Sequence, residues 1–149
     1  MSLAIAPFDP QDLGELLATG GEMFAGARSL LAQPGYGQML KASGPCWSAF
    51  DYMGRIVGCG GLAIEHPGCS VAWTLLHPEL SGRHMLGLHR HAVRMLAECP
   101  ARRVQADCDP TFEPARRWLG LLGFQQEGVR RAYSPDGRDM ALYARVKGG

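Results

Sequence analysis

CSVAWTLLHPELSGRHMLGLHRH occupies residues 69–91, and its reading decides the fold. Its first nine residues are largely apolar, as in a strand covered on both faces. Pro78 ends that run. The pattern then changes period. On a wheel of about 100° per residue, Met85, Leu88, Ala92, Val93, Met95 and Leu96 share one arc, and Arg83, His84, Arg90, His91, Arg94 and Glu98 share the other. An amphipathic helix ending near residue 98 is expected. RRVQADC, residues 102–108, follows with Val104, Ala106 and Cys108 on one side, the alternation of a strand. Strand, helix, strand is a crossover, and its two strands should run parallel. Ligands of such sheets sit at the carboxyl ends of the strands. The first of those ends leads directly into LSGRHMLG.

Residues 80–91, LSGRHMLGLHRH, hold His84, His89 and His91, three of the five histidines. They do not form a metal site on a helix. His84 and His91 share the polar arc, but seven residues put them about 10 Å apart along the axis. Zinc needs both nitrogens at about 2.0–2.1 Å, and no HExxH spacing is present. His89 lies within the apolar arc and reads as a core-facing ring with a backbone or water partner. An anion site fits the segment better. Ser81-Gly82-Arg83-His84 joins a buried strand to a helix N-terminus, where free N–H groups and the helix dipole favour negative charge. Gly82 permits close backbone approach and Arg83 adds a fixed charge. The same Ser-Gly pair also reads as an ordinary helix cap, and the residues alone leave both readings open.

Outward from this unit the chain reads as follows. LAIAP, residues 3–7, is a short strand. Residues 9–24 read as a helix with Asp9 as cap and Pro10 in its first turn. Residues 29–42 read as a second helix broken by Pro34, Gly35 and Gly37. CWSAFDY (46–52) and RIVGCGGLAIE (55–65) form a hairpin around Met53-Gly54. Gly58, Gly60 and Gly61 within it signal a bulge or the close approach of another backbone. Asp109-Pro110-Thr111 is expected to cap a helix over 112–123, with Gly123 past its end. Two last strands, 124–134 and 138–146, flank the turn Ser134-Pro135-Asp136-Gly137. The layout is one domain over 1–149 of the α/β class, with a mixed (α+β) sheet.

Composition sets limits. The chain is 46% hydrophobic and 19% charged, enough for a core and against long disorder. No apolar run approaches the ~20 residues of a membrane span. MSLAIAPFDP has neither a basic start nor a long apolar stretch, so no secretion signal is expected. The five cysteines, Cys46, Cys59, Cys69, Cys99 and Cys108, are odd in number and form no CxxC. A disulfide framework and a zinc knuckle are both disfavoured, and a cytoplasmic, reducing location is expected. Residues 1–79 carry three basic against seven acidic side chains, residues 80–149 twelve against seven. A basic second half suits a polyanionic ligand. A nucleic-acid platform would show a denser basic stripe and a pI above 7.7.

From about residue 46 to residue 147 the chain resembles the GCN5-related N-acetyltransferase (GNAT) superfamily. The resemblance rests on DYMGRIVGCGGLAI followed by VAWTLLHPEL and a turn into a helix. It rests also on ARRWLGLLGFQQEGVRR, a late helix ending in Leu-Gly-Phe before a strand that opens Glu-Gly, and on the final hairpin YSPDGRDMALYARV. It implies a central mixed sheet of about seven strands with about four helices, splayed between VAWTLLH and RRVQADC, with acetyl-CoA in the wedge. Leu75, Leu76 and His77 would pair with the pantetheine arm and thioester. Ser81, Gly82, Arg83, His84, Met85 and Leu86 would cradle the pyrophosphate, and Phe112 and Arg116 would face the cofactor. Glu65 and His77, each ending a central strand, are the candidate bases. No metal is implied. The acceptor would be an amine on a small molecule or a protein, and oligomeric state is left open, a homodimer included.

This sequence departs from the family pattern in two places. With Gly82 as the leading glycine of the family's Arg/Gln-x-x-Gly-x-Gly/Ala loop, the inner positions are His84 and Leu86. Many members carry a Tyr, as acid for the departing thiolate, where this chain has Leu119. Both departures support an alternative: a catalytically degenerate GNAT-like binding or structural protein. The run Trp118-Leu119…Leu122-Gly123-Phe124 is similar to proteins of that kind encoded by bacteriophages, and to ordinary bacterial enzymes.

Overall fold

A computed structural model describes residues 3–19 and 31–148. Seven strands and four helices lie within them, in the order β1 (Ala4–Pro7), α1 (Pro10–Thr19), α2 (Tyr36–Ala42), β2 (Cys46–Phe50), β3 (Ile56–His66), β4 (Cys69–Leu76), α3 (Gly82–Glu98), β5 (Arg103–Cys108), α4 (Glu113–Leu121), β6 (Gln125–Arg130) and β7 (Met140–Val146). The strands make one sheet in the order β1-β2-β3-β4-β5-β7-β6. Every neighbouring pair is antiparallel except β4 and β5. That parallel pair is the one the crossover required.

Local chemistry accounts for the element ends. Asp9 Oδ1 accepts from Gln11 N–H at 3.0 Å, and Asp12 Oδ2 accepts from Asp9 N–H at 3.3 Å. These reciprocal bonds start α1 as a capping box does. Ser81 caps α3, its Oγ accepting from His84 N–H at 3.2 Å. The helix ends before Pro100, which holds Cys99 in an extended conformation. In the β2–β3 turn the buried Asp51 carboxylate accepts from the N–H groups of Met53 and Arg55 and from Arg55 Nε, and these bonds hold its pKa below the ordinary 3.8. Gly54 completes that turn at φ +79°, a conformation costly for other residues.

Both faces of the sheet are covered. Leu13, Leu16, Leu17 and Leu40 from α1 and α2 pack with Phe8 on Ile56, Cys59 and Leu75. On the other face Leu96 of α3 and Leu119 of α4 meet Val104, Ala106, Cys108, Ala141 and Tyr143. Leu88 reaches Trp47, Ala49 and Val57 beside them. Leu16 and Leu88 are wholly buried, and each such side chain contributes about 1.5–3 kcal/mol of transfer free energy.

Several expectations need correction. Asp109 does not cap α4. Its Oδ1 accepts from Thr111 N–H and Oγ1 at 2.8 and 2.7 Å, and Phe112 occupies the cap without a side-chain bond. The wheel misplaced two residues of α3. His91 turns inward, edge-on to Trp47 at 5.4 Å, and Val93 is exposed. Leu88, His91, Met95 and Leu96 make the real inner stripe, because the helix lies over the β2–β4 side of the sheet. Gly37 does not break α2. It is buried within the helix, and a Cβ there would lie 2.9 Å from Pro10 Cβ, so it lets α2 approach α1. The strand read as covered on both faces carries an exposed Thr74. Residues 20–24 and 29–30 of the two front helical readings lie outside the described residues.

The strand glycines mark close approach, as expected. A Cβ on Gly60 would sit 2.7 Å from Trp73 O and from Trp47 Cζ2. Gly60→Ala should lower unfolding free energy by about 1–3 kcal/mol, the scale of overpacking. Gly14→Ala, on the exposed side of α1 with nothing within 4 Å, should raise it by roughly 0.5–1 kcal/mol. Urea titration of both variants checks the contrast.

Candidate functional site

β4 and β5 pair only at Cys69↔Arg103, Ser70↔Val104 and Val71↔Gln105. Both strands continue, β4 to Leu76 and β5 to Cys108, without further contact between their backbones. Each is held on its other edge instead. β4 stays paired to β3 as far as Gly58↔Leu76, and β5 to β7 as far as Cys108↔Ala141. The sheet therefore opens into a gap whose β4 side, from Ala72 to Leu76, is about 13 Å long at ~3.3 Å per residue.

The alternation of an antiparallel ladder decides which groups line the gap. His77 N–H donates to Val57 O at 2.9 Å. By that parity Leu75 and Trp73 also turn their backbone groups to β3, whereas Leu76 and Thr74 turn theirs toward β5. The parallel pairing ends at Val71, so the N–H and C=O of Thr74 and Leu76 face the gap without a strand partner. On β5 the corresponding residue is Asp107. Sequence reading selected Leu75, Leu76 and His77 together. The geometry turns only Leu76 of these toward the gap by its backbone, and it adds Thr74. The parity of β4 was the signal that would have found Thr74.

Two helix N-termini stand at the mouth, where β4 leads to α3 and β5 to α4. In α3, His84 N–H is used by Ser81 Oγ and Met85 N–H by Ser81 O. The N–H groups of Gly82 and Arg83 have no partner among the described residues, and Gly82 has open space where a Cβ would be. Arg83 and Leu86 are exposed, and His84 is half-buried. At α4, Phe112 is exposed, but Arg116 is braced: its Nε donates to Tyr143 Oη at 3.1 Å, and Nη1 donates to Pro110 O at 3.4 Å and lies 3.7 Å from Glu113. The two helices are tied by Trp118 Nε1–H, which donates to His89 Nδ1 at 3.1 Å. His89 thus has a side-chain partner rather than the backbone or water expected.

The two candidate bases do not share this site. β3 and β4 are antiparallel, so the end of β3 lies beside the start of β4. Glu65 is exposed beside Cys69, at the closed end, and the length of β4 separates it from His77. His77 does sit at the open end, but its Nδ1 accepts from Glu79 N–H at 3.0 Å. A neutral ring in that arrangement carries its proton on Nε2 and presents a donor, not a base.

Asp107 is the acidic residue of β5 where that strand borders the gap. Val104, Ala106 and Cys108 face α3 and α4, so Asp107 projects to the opposite face, where α1 and α2 lie. It is half-buried and pairs with Arg130 Nε at 3.0 Å. Burial outweighs that guanidinium and raises its pKa above the ordinary 3.8. Trp73 lies on the same face, edge-on to Phe8 at 5.4 Å, and its buried Nε1–H has no partner among the described residues. In the sequence Asp107 was only the polar position of an alternating strand.

No protein-family model and no curated protein matches the chain. Solved structures do. The spermidine N-acetyltransferase from Vibrio cholerae in complex with CoA and spermine superposes with a TM-score of 0.71 at 12% identity, covering 97% of this chain and 95% of that one. A GNAT superfamily phosphinothricin acetyltransferase from Sinorhizobium meliloti in complex with AcCoA gives 0.69 at 15%, covering 98% and 89%. The ribosomal-protein-S5-alanine acetyltransferase from Vibrio fischeri gives 0.69 at 16%, covering 99% and 94%. The fold is that of the GNAT acyl-CoA N-acyltransferases, as the resemblance implied.

Ser81→Ala removes the acceptor of His84 N–H. It should cost about 0.5–2 kcal/mol of stability, and Ser81→Asp should keep most of it, both read by urea unfolding.

Proposed function

We propose that this chain is an acetyl-CoA-dependent N-acetyltransferase that acetylates an amine of a small molecule or protein. The parting of β4 from β5 carries the proposal, because it leaves strand-edge donors and acceptors in a slot open along one side. Thr74 and Leu76 would pair with the amides of the pantetheine arm, beside Leu75 and His77. The free N–H groups of Gly82 and Arg83, with the Arg83 guanidinium, would hold the pyrophosphate, next to Ser81, His84, Met85 and Leu86. Phe112 and Arg116 would border it from α4. Nothing in these residues calls for a metal.

Acetyl-CoA supplies an activated thioester. The amine nitrogen adds to its carbonyl carbon, a C–N bond forms, and the C–S bond breaks to release thiolate. Leu76 N–H is the donor for the oxyanion. Asp107 takes the amine proton, since its residue stands on β5 where that strand borders the gap, on the face away from α3. Water protonates the thiolate, because Leu119 occupies the α4 position with an apolar side chain packed on the core.

Leu119 also favours a second reading, a GNAT-like protein that binds CoA without turning over. Calorimetry with CoA and acetyl-CoA, followed by thiol release with an amine panel, separates the two. Binding with release supports the enzyme, and binding without release the second reading. No binding at millimolar ligand sinks both.

A base must be ionised to work. With the Asp107 carboxyl raised above 3.8, kcat/KM should climb with pH along an acidic limb displaced upward from an ordinary aspartate. Asp107→Asn should erase that limb and lower kcat by about 10²–10⁴-fold. A variant that kept the limb would clear Asp107 of the role.

A further inference from the structure

The closed end of the sheet carries its own cluster. At the β3–β4 turn the register slips between Ile64 and His66, so Glu65 and His66 together oppose Cys69. A bulge of this kind re-aims side chains. Here it gathers a carboxylate, an imidazole and a thiol whose ligand atoms all lie within 4.8 Å of one another. Two of the pairings already present are ones a cation can take over. Cys69 Sγ–H donates to Glu65 Oε2 at 3.5 Å, so a proton bridges sulfur and oxygen. His66 Nδ1 accepts a long 3.2 Å bond from Gly68 N–H, so its lone pair is unprotonated and held toward the turn.

We propose that Glu65, His66 and Cys69 form a binding site for a zinc-class divalent cation. Sulfur, nitrogen and oxygen donors together suit a borderline-soft ion, with three protein ligands and water as the fourth. In a tetrahedron of usual zinc bond lengths the ligand atoms stand about 3.3–3.7 Å apart, so they need to close by about 1 Å, within the reach of exposed Glu65 and His66 side chains. The exchange balances: the cation takes the sulfur lone pair, the S–H bond breaks, and its proton passes to buffer. Thiolate and carboxylate then neutralise a divalent charge. Arg103, on the strand beside Cys69, does not claim Glu65, because its guanidinium is engaged bidentately by Glu127 at 2.7 and 3.0 Å. Arg102 approaches the turn at Gly68, and the Arg103 guanidinium acts on the Cys69 thiol by charge and hydrogen bond, so the site must tolerate both cations. Cys69 lies at the far end of β4 from Leu76, about 23 Å away at ~3.3 Å per residue. The site is therefore independent of acetyl transfer and would clip the hairpin turn.

Cobalt(II) titrated into the full chain after chelator treatment tests this. One equivalent should give a sulfur-to-cobalt charge-transfer band in the near ultraviolet with visible bands of tetrahedral intensity, and zinc should displace them. Cys69→Ser should lose the charge-transfer band. His66→Gln and Glu65→Gln, surface changes that leave the fold intact, should weaken binding by about 10–100-fold. Absence of the band, its survival in Cys69→Ser, or unchanged affinity in both surface variants would overturn the proposal.

Discussion

β4 is held to β3 along its whole length, and β5 to β7 along its whole length, while the two hold each other for only three residues. A sheet normally satisfies backbone groups by pairing both edges of an inner strand. Here the antiparallel partners keep the two central strands extended where they no longer touch. The gap thus needs no loop to shape it, and its lining is set by backbone parity rather than by side-chain identity. This explains how the fold can be shared with proteins only 12–16% identical. The residues that matter most for its shape contribute N–H and C=O groups, which substitution leaves in place.

The same parity separates roles by face. Even-numbered residues of β4 and β5 look toward α3 and α4, odd-numbered ones toward α1 and α2. The α3 N-terminus, with its free N–H groups, and the half-buried Asp107 therefore approach the gap from different sides. On the proposed function, cosubstrate and acceptor amine would reach the gap from different faces, and Arg130 beside Asp107 keeps that carboxyl from being an unpaired buried charge.

Much of the fold was legible because periodicity changes cleanly around Pro78. The run from Cys69, the helix to Glu98 and the alternation of Val104, Ala106 and Cys108 stand almost where they were read. Errors followed from tertiary context that no single segment contains. The wheel placed His91 outside because an imidazole is polar, yet Trp47 offers it an aromatic edge. Asp109 had the right spacing for a cap but a nearer partner in Thr111. Glu65 and His77 both end strands, and only the antiparallel pairing shows that these ends are opposite. Asp107 carried no signal, since its place at the gap depends on where the β4–β5 ladder stops.

The bond from Trp118 to His89 joins the helix that follows one arm of the gap to the helix that follows the other. Those helices sit on arms with no backbone link of their own beyond Val71 and Gln105. The indole–imidazole contact acts as a crosspiece: it fixes the separation of the two helix ends that border the mouth, though neither ring need touch anything in the slot.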